Sequence, residues 1–351
     1  MTHDADRSLS CMLPRRRFLG GAASAAACAA VSGGVSPIAA AADPAAQPAA
    51  AAGSAVPKLV DSHVHFYDPT RPEGVPWPAK NDAVLYRPVF PEEWEKLVAP
   101  LGPAAAIVVE ASPWVDDNQW VLDLADRHEA SRRDAGRGDA HAGIVGVVGN
   151  LPLDDAACAT LIDRFAAHRL FRGVRVNGDK LLAGLGDAVF SQHVAQLADR
   201  GLSVDVNGGD VFAAAVAATD RHQTLRIVID HVANTRMTPE GPTAEWLDGI
   251  ARVGERDTVF MKVSGMAESA RRSMKAAKAP VDPRFYLPWL EASWKTFGER
   301  RLMYGSNWPV SDLAATYAEV FGIVAPFVRS RGPEAERWFF TEASRLAYRW
   351  T

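Results

Sequence analysis

The chain has 351 residues, 48% of them hydrophobic, and its 42 acidic side chains outnumber 38 lysines and arginines to give a formal charge of −4. A domain of about 300 residues can bury about 75% of the surface that its unfolded chain exposes. A chain with net negative charge does not attract a polyanion, so we expect no nucleic-acid partner. The three cysteines are Cys11, Cys28 and Cys158, and only the last lies outside the N-terminal segment that we expect to be removed, so no intramolecular disulfide is predicted.

The N-terminal segment has the pattern of an export signal. Arg15 and Arg16 precede an alanine-rich, weakly apolar run, which is typical of a twin-arginine signal peptide. Small residues precede Asp43, so residues 1–42 are predicted to be the signal peptide and residues 43–56 a disordered leader rich in alanine and proline. We therefore expect a periplasmic or secreted protein that uses the twin-arginine (Tat) export machinery as a partner.

The same apolar run is a poor membrane anchor. It is rich in alanine and glycine and is interrupted by Gly33, Gly34 and Pro37, whereas a spanning helix needs about 20 consecutive apolar residues. We expect no stable membrane insertion. A lipid anchor at Cys28 stays open, although the three alanines before it lack the bulky apolar residue expected there.

Short apolar runs alternate with longer amphipathic stretches from residue 57 to residue 351, and their number predicts the architecture. The eight predicted strands are Leu59–Val64, Ala105–Val109, Gly143–Val148, Gly173–Val176, Leu202–Val206, Leu225–Ile229, Val259–Val263 and Arg301–Tyr304. Eight strand–helix units in one domain predict an α/β fold of the (β/α)8 TIM-barrel type. An open doubly wound sheet is the alternative, but no Gly-x-Gly-x-x-Gly turn follows the first strand.

Helices are predicted after each strand, and one more at the C-terminus. The eight are Glu92–Val98, Asn118–Ser131, Asp154–His168, Asp187–Arg200, Val211–Arg221, Thr243–Val253, Pro283–Phe297 and Asp312–Val328. The extra helix, Pro333–Tyr348, is expected to pack on the barrel through Trp338, Phe339, Leu346 and Tyr348.

Two histidines close the first predicted strand, in the sequence Asp61-Ser62-His63-Val64-His65. Side chains two apart on a strand point to the same face, so both imidazoles would face the barrel axis. Active sites of such barrels lie at the C-terminal strand ends. His63 and His65 are therefore candidates for binding a metal or a substrate oxygen.

Polar side chains recur at the ends of the other predicted strands. They are Glu110, Asn150, Arg175, Asn177, Asp205, Asn207, Asp230, His231, Lys262, Ser264, Ser306, Asn307 and Trp308. Because the strand ends carry the chemistry of a barrel while the opposite ends carry stability, this distribution predicts an enzyme rather than an inert scaffold.

At these strand ends the chain resembles the amidohydrolase superfamily, in the amidohydrolase-2 branch that includes sugar-acid and dicarboxylate lactonases. The resemblance rests on the blocks Asp61–Pro69, Phe171–Arg175, Ile229–Ala233, Met261–Gly265 and Met303–Val310. It implies a distorted barrel that hydrolyses a cyclic ester or amide. It also implies a site that binds one divalent metal in some members and none in others.

The main departure from this resemblance is Asn307, because hydrolytic members commonly carry an aspartate there that takes a proton from the attacking water. An amide has no usable basicity near neutral pH. The fifth strand offers Asp205 and Asn207 where a full metal site would use a histidine, so a two-metal centre is not expected. One metal such as Zn, held by His63 and His65 with a carboxylate from Glu110 or Asp205, and a metal-free site in which the histidines bind an oxyanion, both stay open.

Each catalytic candidate has a specific predicted role. His231 is expected to act as general base or to polarise the carbonyl, the alternative being a histidine that holds a backbone carbonyl while Asp230 turns outward. Glu110 is a candidate base or ligand, or else the ion-pair partner of Arg175. Asn307 is expected to hydrogen-bond the water or the substrate.

Substrate binding is assigned to residues with guanidinium, amide or aromatic side chains. Arg175 suits a substrate carboxylate, since a guanidinium offers two parallel donors. Asn177 is a further polar candidate, and Tyr67 and Trp308 could wall a planar or sugar-like ring. Lys262 is interpreted as an ion pair inside the barrel.

These residues predict a hydrolase that opens a small, carboxylated lactone by attack of water at the carbonyl, with an anionic small molecule as substrate. A non-oxidative decarboxylase of the same superfamily is one alternative. A periplasmic ligand-binding barrel that has lost its base is the other.

Overall fold

The computed structural model describes residues 57–136 and 143–351, and within them the chain forms a parallel barrel. The strands follow one another in chain order, β1 to β8. They are β1 Leu59–Val64, β2 Ala104–Val109, β3 Gly143–Gly149, β4 Phe171–Val176, β5 Ser203–Val206, β6 Arg226–Ile229, β7 Val259–Val263 and β8 Leu302–Tyr304. The predicted (β/α)8 fold is confirmed, and each predicted strand overlaps an observed one.

The barrel closes where the end of β1 meets the segment after β8. The backbone N–H of Asn307 donates to the carbonyl of His63 at 2.8 Å, and that of His65 donates to the carbonyl of Trp308 at 2.9 Å. The pairing register shifts between β1 and β2, β2 and β3, and β3 and β4. Such breaks re-aim side chains locally, and they agree with the expected distortion of the barrel.

Helices surround the strands. They are α1 Pro91–Val98, α2 Asp116–Asp134, α3 Cys158–Ala166, α4 Gly178–Gly184, α5 Ala188–Asp199, α6 Val211–Arg221, α7 Ala244–Gly254, α8 Met266–Met274, α9 Pro283–Phe297, α10 Tyr317–Arg329, α11 Pro333–Arg337 and α12 Ala343–Tyr348. The sequence prediction missed α4 and α8. It also joined the short 3-10 turn Val310–Leu313 to α10, which begins separately because Thr316 and Glu319 form a capping box.

The C-terminal segment closes the barrel beneath the strands. It is α11, a π-helical turn at Trp338–Glu342, and α12, rather than the single regular helix that was predicted. The Tyr348 hydroxyl donates to Asp205 Oδ2 at 2.7 Å, so this tyrosine reaches into the barrel. Leu346 is 49% exposed, so its predicted packing role is wrong. The face carrying Tyr348 and Ala347 is turned inward, and Leu346 points away from it.

The predicted signal peptide, leader and lipid-anchor residue lie outside the described residues. In the part of the chain that the structure describes, no helix is long and apolar enough to cross a membrane.

Candidate active site

The end of β1 is fixed by a buried carboxylate. Asp61 accepts a hydrogen bond from the Ser306 backbone N–H at 2.8 Å and another from the Tyr317 hydroxyl at 2.9 Å. Burial raises the pKa of Asp61, although these bonds favour its ionised form. Asp61 therefore ties β1 to the segment after β8 and to α10, which sets the positions of His63 and His65.

A closed group of charges lies below the mouth of the barrel. Lys262 Nζ lies 2.6 Å from Asp205 Oδ2, 3.1 Å from Asp230 Oδ1 and 3.3 Å from His63 Nδ1, and all four side chains are fully buried. This confirms the predicted ion pair of Lys262. We call Lys262, Asp205, Asp230 and His63 the charge cluster.

Burial and charge act in opposite directions within the charge cluster. Burial raises the pKa of Asp205 to about 6, with the positive charge of Lys262 opposing that rise. Burial also opposes ionisation of Asp230, but the charge of Lys262 prevails and holds its pKa well below the usual range. Burial lowers the pKa of His63 far enough that this imidazole is neutral at pH 7.

The turn after β6 brings two consecutive side chains to the interior. Asp230 belongs to the charge cluster inside the barrel, so the alternative in which it turns outward is wrong. His231 to Asn234 all have positive φ, with His231 at 55°. This left-handed run breaks the alternation of a regular strand, so His231 also faces the barrel, with its ring centroid 4.3 Å from that of His63.

His231 is held as a neutral imidazole. Its Nδ1 lies 2.9 Å from Ser264 Oγ. Burial lowers the pKa of His231 to about 4. Gly265 follows Ser264 with φ of 63°, and a Cβ there would lie 2.9 Å from the Cβ of His231. Only glycine fits at this point, where the chain turns from β7 into α8 against the histidine ring.

A cavity of about 300 Å³ opens above these histidines at the C-terminal ends of the strands. It is lined by His65, Trp77, Ala111, Arg175, Asn207, His231, Asn234, Gly265, Glu268, Arg272, Asn307 and Val310. Its size is at the lower end of small-molecule sites, and its polar groups converge from several strands.

The structure brings four of the predicted site residues together around this cavity: His65, Arg175, His231 and Asn307. His63 lies buried beside His231. Glu110 lies next to Arg175: the guanidinium Nε and Nη2 lie 2.8 Å and 2.7 Å from Glu110 Oε1, and Nη2 also donates to the Glu110 backbone carbonyl at 3.1 Å. This is the ion pair that was the alternative role of Glu110.

The other three predicted substrate-binding residues have local partners. The Tyr67 hydroxyl donates to the Leu85 carbonyl at 2.8 Å. Asn177 caps α4, accepting from two backbone N–H groups of its first turn. Trp308 is buried and donates from Nε1 to Asp312 Oδ2 at 3.1 Å. None of the three is among the residues lining the cavity described above, and their predicted roles stay predictions.

Glu268 is a cavity residue that the sequence reasoning missed. It is 4% exposed, and Asn307 Nδ2 lies 2.7 Å from its Oε1, while its Oε2 has no hydrogen-bond partner among the described residues. The other end of the Asn307 side chain, Oδ1, lies 3.3 Å from His65 Nε2. An acidic residue in the first turn of a helix is ordinary in a sequence, so Glu268 gave no distinctive signal.

A metal ion is implied by the family resemblance, and one group of side chains fits it. Ligand atoms of His63, Asp230 and His231 lie within 4.8 Å of one another. Among the described residues, Nε2 of His63 and Oδ2 of Asp230 are buried without a hydrogen-bond partner, while Asp230 Oδ1 lies 3.1 Å from Lys262 Nζ and 3.3 Å from His63 Nδ1. Two imidazoles and a carboxylate are a zinc donor set, although Lys262 already neutralises Asp230. This group does not include His65, which was predicted as a ligand with His63.

Comparison with known proteins places the chain in a family. The model of the amidohydrolase family matches residues 60–350. The chain is 29% identical over 293 residues to an L-fucono-1,5-lactonase of Burkholderia multivorans, covering 79% of this chain and 91% of that protein. It is 26% identical over 263 residues to the L-fucono-1,5-lactonase of Burkholderia ambifaria, covering 74% of this chain and 83% of that protein.

A solved structure agrees with this likeness. A crystal structure of an amidohydrolase from Burkholderia multivorans with bound Zn is 28% identical, with a TM-score of 0.69, and covers 85% of this chain and all 100% of its own. The protein belongs to the amidohydrolase family, as its strand-end blocks predicted.

Proposed function

We propose that this protein is a hydrolase that opens a small sugar-acid or related lactone by attack of water on the ring carbonyl. The observation that carries the proposal is the cavity in which two neutral imidazoles, His65 and His231, and the Arg175 guanidinium converge. The likeness to two L-fucono-1,5-lactonases supports a cyclic ester as the substrate class.

The substrate is oriented by groups that do not change their charge at neutral pH. Arg175 presents a guanidinium that Glu110 holds by its carboxylate and its backbone, so its donors are fixed in direction. It would bind a carboxylate or hydroxyl of an anionic or polar ring. Asn207 accepts from Asn234 Nδ2 at 2.7 Å, so these two amides form a second polar wall of the cavity.

The ring carbonyl is polarised by histidine. When the Ser264 hydroxyl donates to His231 Nδ1, the proton of the neutral ring lies on Nε2, which becomes a donor to the carbonyl oxygen. The negative charge that develops on this oxygen would be stabilised by the hydrogen bond from Nε2.

A divalent ion such as Zn²⁺ is proposed at His63, Asp230 and His231, and it would act as a Lewis acid and lower the pKa of bound water. The Zn-containing relative supports this. With the ion bound, His231 would be in its other tautomer: its proton would lie on Nδ1 and be donated to Ser264, and Nε2 would be available to hold the metal. A pair of ligands on His63 and His65 stays a second prediction.

The test is proton release by the purified protein against a panel of sugar-acid and dicarboxylate lactones. We expect turnover with at least one lactone, and a loss of at least 100-fold in kcat/KM in His63→Ala. His222→Ala is the matched control, because His222 lies 3.4 Å from Ser191 Oγ, outside the cavity, and it should keep its rate. Release of CO2 from a carboxylated ring, or binding without turnover, would favour the decarboxylase or the binding protein.

We also propose that the chain is exported by the twin-arginine pathway to the periplasm or beyond. The consecutive arginines at 15 and 16 and the small residues before Asp43 support it. Cell fractionation should find the wild-type protein outside the cytoplasm. The control variant Arg15→Lys/Arg16→Lys should stay in the cytoplasm. Equal distribution of both proteins would contradict export by this route.

A further inference from the structure

Asn307 connects His65 to Glu268, and the hydrogen bonds fix where protons can lie. His65 Nδ1 lies 2.9 Å from the Val109 carbonyl oxygen, which only accepts, so Nδ1 carries a proton. A neutral imidazole has one donor and one acceptor nitrogen, so with its proton on Nδ1 the neutral ring of His65 accepts at Nε2. His65 therefore requires a donor from Asn307.

The amide of Asn307 can supply that donor by presenting its nitrogen to His65. Amide oxygen and nitrogen are assigned from their hydrogen bonds, and a half-turn of the amide exchanges them. In the orientation given by the structure, Asn307 Nδ2 lies 2.7 Å from Glu268 Oε1. After the half-turn, the amide oxygen takes the place of that nitrogen and faces Glu268. Two oxygens at such a separation need a proton between them, and Glu268 is the only one of the two that can carry it.

The two orientations of the amide correspond to two protonation states of Glu268. Protonated Glu268 donates to the Asn307 oxygen, while ionised Glu268 accepts from the Asn307 nitrogen. An asparagine serves both states because it carries a donor and an acceptor. An aspartate at this position would place a second carboxylate against Glu268.

We propose that Glu268 is the catalytic acid and base of the ring opening, supplying the proton transfer that Asn307 cannot perform. This inference rests on the proposed lactone hydrolysis. Glu268 lines the cavity together with His65, His231 and Arg175, its Oε2 has no hydrogen-bond partner among the residues described, and its Oε1 is held by Asn307. Asn307 is then a positioning residue.

The bonds and protons balance in two steps. Ionised Glu268 takes a proton from water as the water oxygen bonds to the lactone carbonyl carbon, which gives a tetrahedral oxyanion and protonated Glu268. Collapse of that oxyanion breaks the bond from the carbonyl carbon to the ring oxygen. Glu268 returns its proton to this leaving oxygen, giving the hydroxy acid, which loses its own proton to solvent.

The surroundings of Glu268 make both protonation states accessible near neutral pH. Burial raises the pKa of Glu268 to about 7, while the hydrogen bond from Asn307 and the charge of Arg272 oppose that rise. The ionisable groups that face it are Arg272 on its own helix, Asp312 beside the turn after β8, Tyr286 on α9 and Tyr304 on β8.

The first test compares kcat/KM against pH, with a lactone that the wild-type protein turns over, for the wild type, Glu268→Gln, Glu268→Asp and the control Glu291→Gln. Wild-type kcat/KM should fall tenfold per pH unit below about pH 7. Glu268→Gln should lower kcat/KM at least 100-fold and remove the inflection of the pH profile near pH 7. Glu268→Asp should keep the inflection at a reduced rate. Glu291→Gln, at an exposed position on α9 where the carboxylate pairs with Arg331, should stay within about threefold of the wild-type kcat/KM. The proposal is overturned if Glu268→Gln keeps a tenth or more of the wild-type kcat/KM, or if its pH profile keeps the inflection.

The second test does not use turnover, so it separates this inference from the proposed function. Infrared difference spectra of the wild-type protein between pH 5 and pH 9 should contain the carbonyl stretch of a protonated carboxyl group with a midpoint near pH 7, besides the one expected from Asp205 near pH 6. Glu268→Gln should lack the component with the midpoint near pH 7 and keep that of Asp205. If no lactone is hydrolysed by the wild type, the proposed function fails. If the band is unchanged in Glu268→Gln, Glu268 does not hold the proton and this inference fails. Should Glu268→Gln not fold, Glu268→Asp must shift the midpoint, and an unshifted midpoint overturns the inference.

Discussion

Replacing Lys262 with methionine is expected to destabilise the fold and to do so in a pH-dependent way. Lys262 is the cation of the charge cluster, 2.6 Å from Asp205 and 3.1 Å from Asp230, and none of the three is exposed. Methionine has a similar length and carries no charge. The variant therefore leaves two carboxylates buried without their cation, while the packing around the side chain changes little.

The magnitude follows from the cost of removing one partner of a buried ion pair, which is about 3–5 kcal/mol. Two carboxylates depend on Lys262, so we expect the upper part of that range near pH 8. The total free energy of unfolding of a domain is about 5–15 kcal/mol, so the change is a large fraction of it. Lys96→Met, at an exposed position on α1, should change stability by less than about 0.5 kcal/mol.

The pH dependence has a definite sign. In the wild type the folded-state pKa of Asp230 lies below its unfolded value, so its contribution is present above that unfolded value and is lost as pH falls through the folded pKa. Asp205 already has a folded-state pKa of about 6, above its unfolded value. Without Lys262 that pKa rises further and the pKa of Asp230 rises above its unfolded value, so the penalty of both carboxylates is full at high pH and is relieved as pH falls.

Equilibrium urea denaturation at pH 8 and at pH 5, followed by tryptophan fluorescence, measures both effects. We expect Lys262→Met to lose more stability relative to wild type at pH 8 than at pH 5. A loss below 1 kcal/mol at pH 8, or a loss that grows as the pH falls, would refute the reasoning.

Three further predictions concern the cavity. Arg175→Lys removes the guanidinium that is proposed to bind the substrate and should raise KM at least tenfold with little change in melting temperature; an unchanged KM in steady-state kinetics would rule out its binding role. Asn307→Asp places a carboxylate 2.7 Å from Glu268 and should lower kcat/KM at least tenfold, whereas a gain of activity would indicate a site that had lost its base. If zinc binds at His63, Asp230 and His231, elemental analysis should find about one zinc per wild-type chain and much less in His231→Ala, and equal contents would exclude that site.

The strands could be predicted from the sequence because short segments rich in apolar and β-branched residues lie between breaks in the pattern. Helices α4 and α8 could not, since each begins within two or three residues of a strand end and is short. Their starts depend on local devices: the Asn177 side chain caps α4, and Gly265 turns the chain into α8 with a positive φ. Periodicity detects neither device.

The candidate site was predictable to the extent that it follows strand alternation. His65, Arg175 and Asn307 lie at strand ends and line one cavity, as their positions in a barrel predict. Asp230 and His231 are adjacent, so regular alternation allows only one of them inside, and the left-handed run from His231 to Asn234 is what admits both. Glu268 was missed because it lies on a helix, where strand alternation says nothing.

The charge cluster connects the stability of the barrel to the protonation state of its site. The buried carboxylates of Asp205 and Asp230 need a cation, and Lys262 provides it. Burial lowers the pKa of His63 and His231, and the charge of Lys262 lowers both further. One ammonium group therefore stabilises the anions below the cavity and helps to keep the imidazoles above them neutral. In the proposed mechanism His231 acts as a neutral imidazole, so the same ammonium group that stabilises the fold also sets the protonation state of the site.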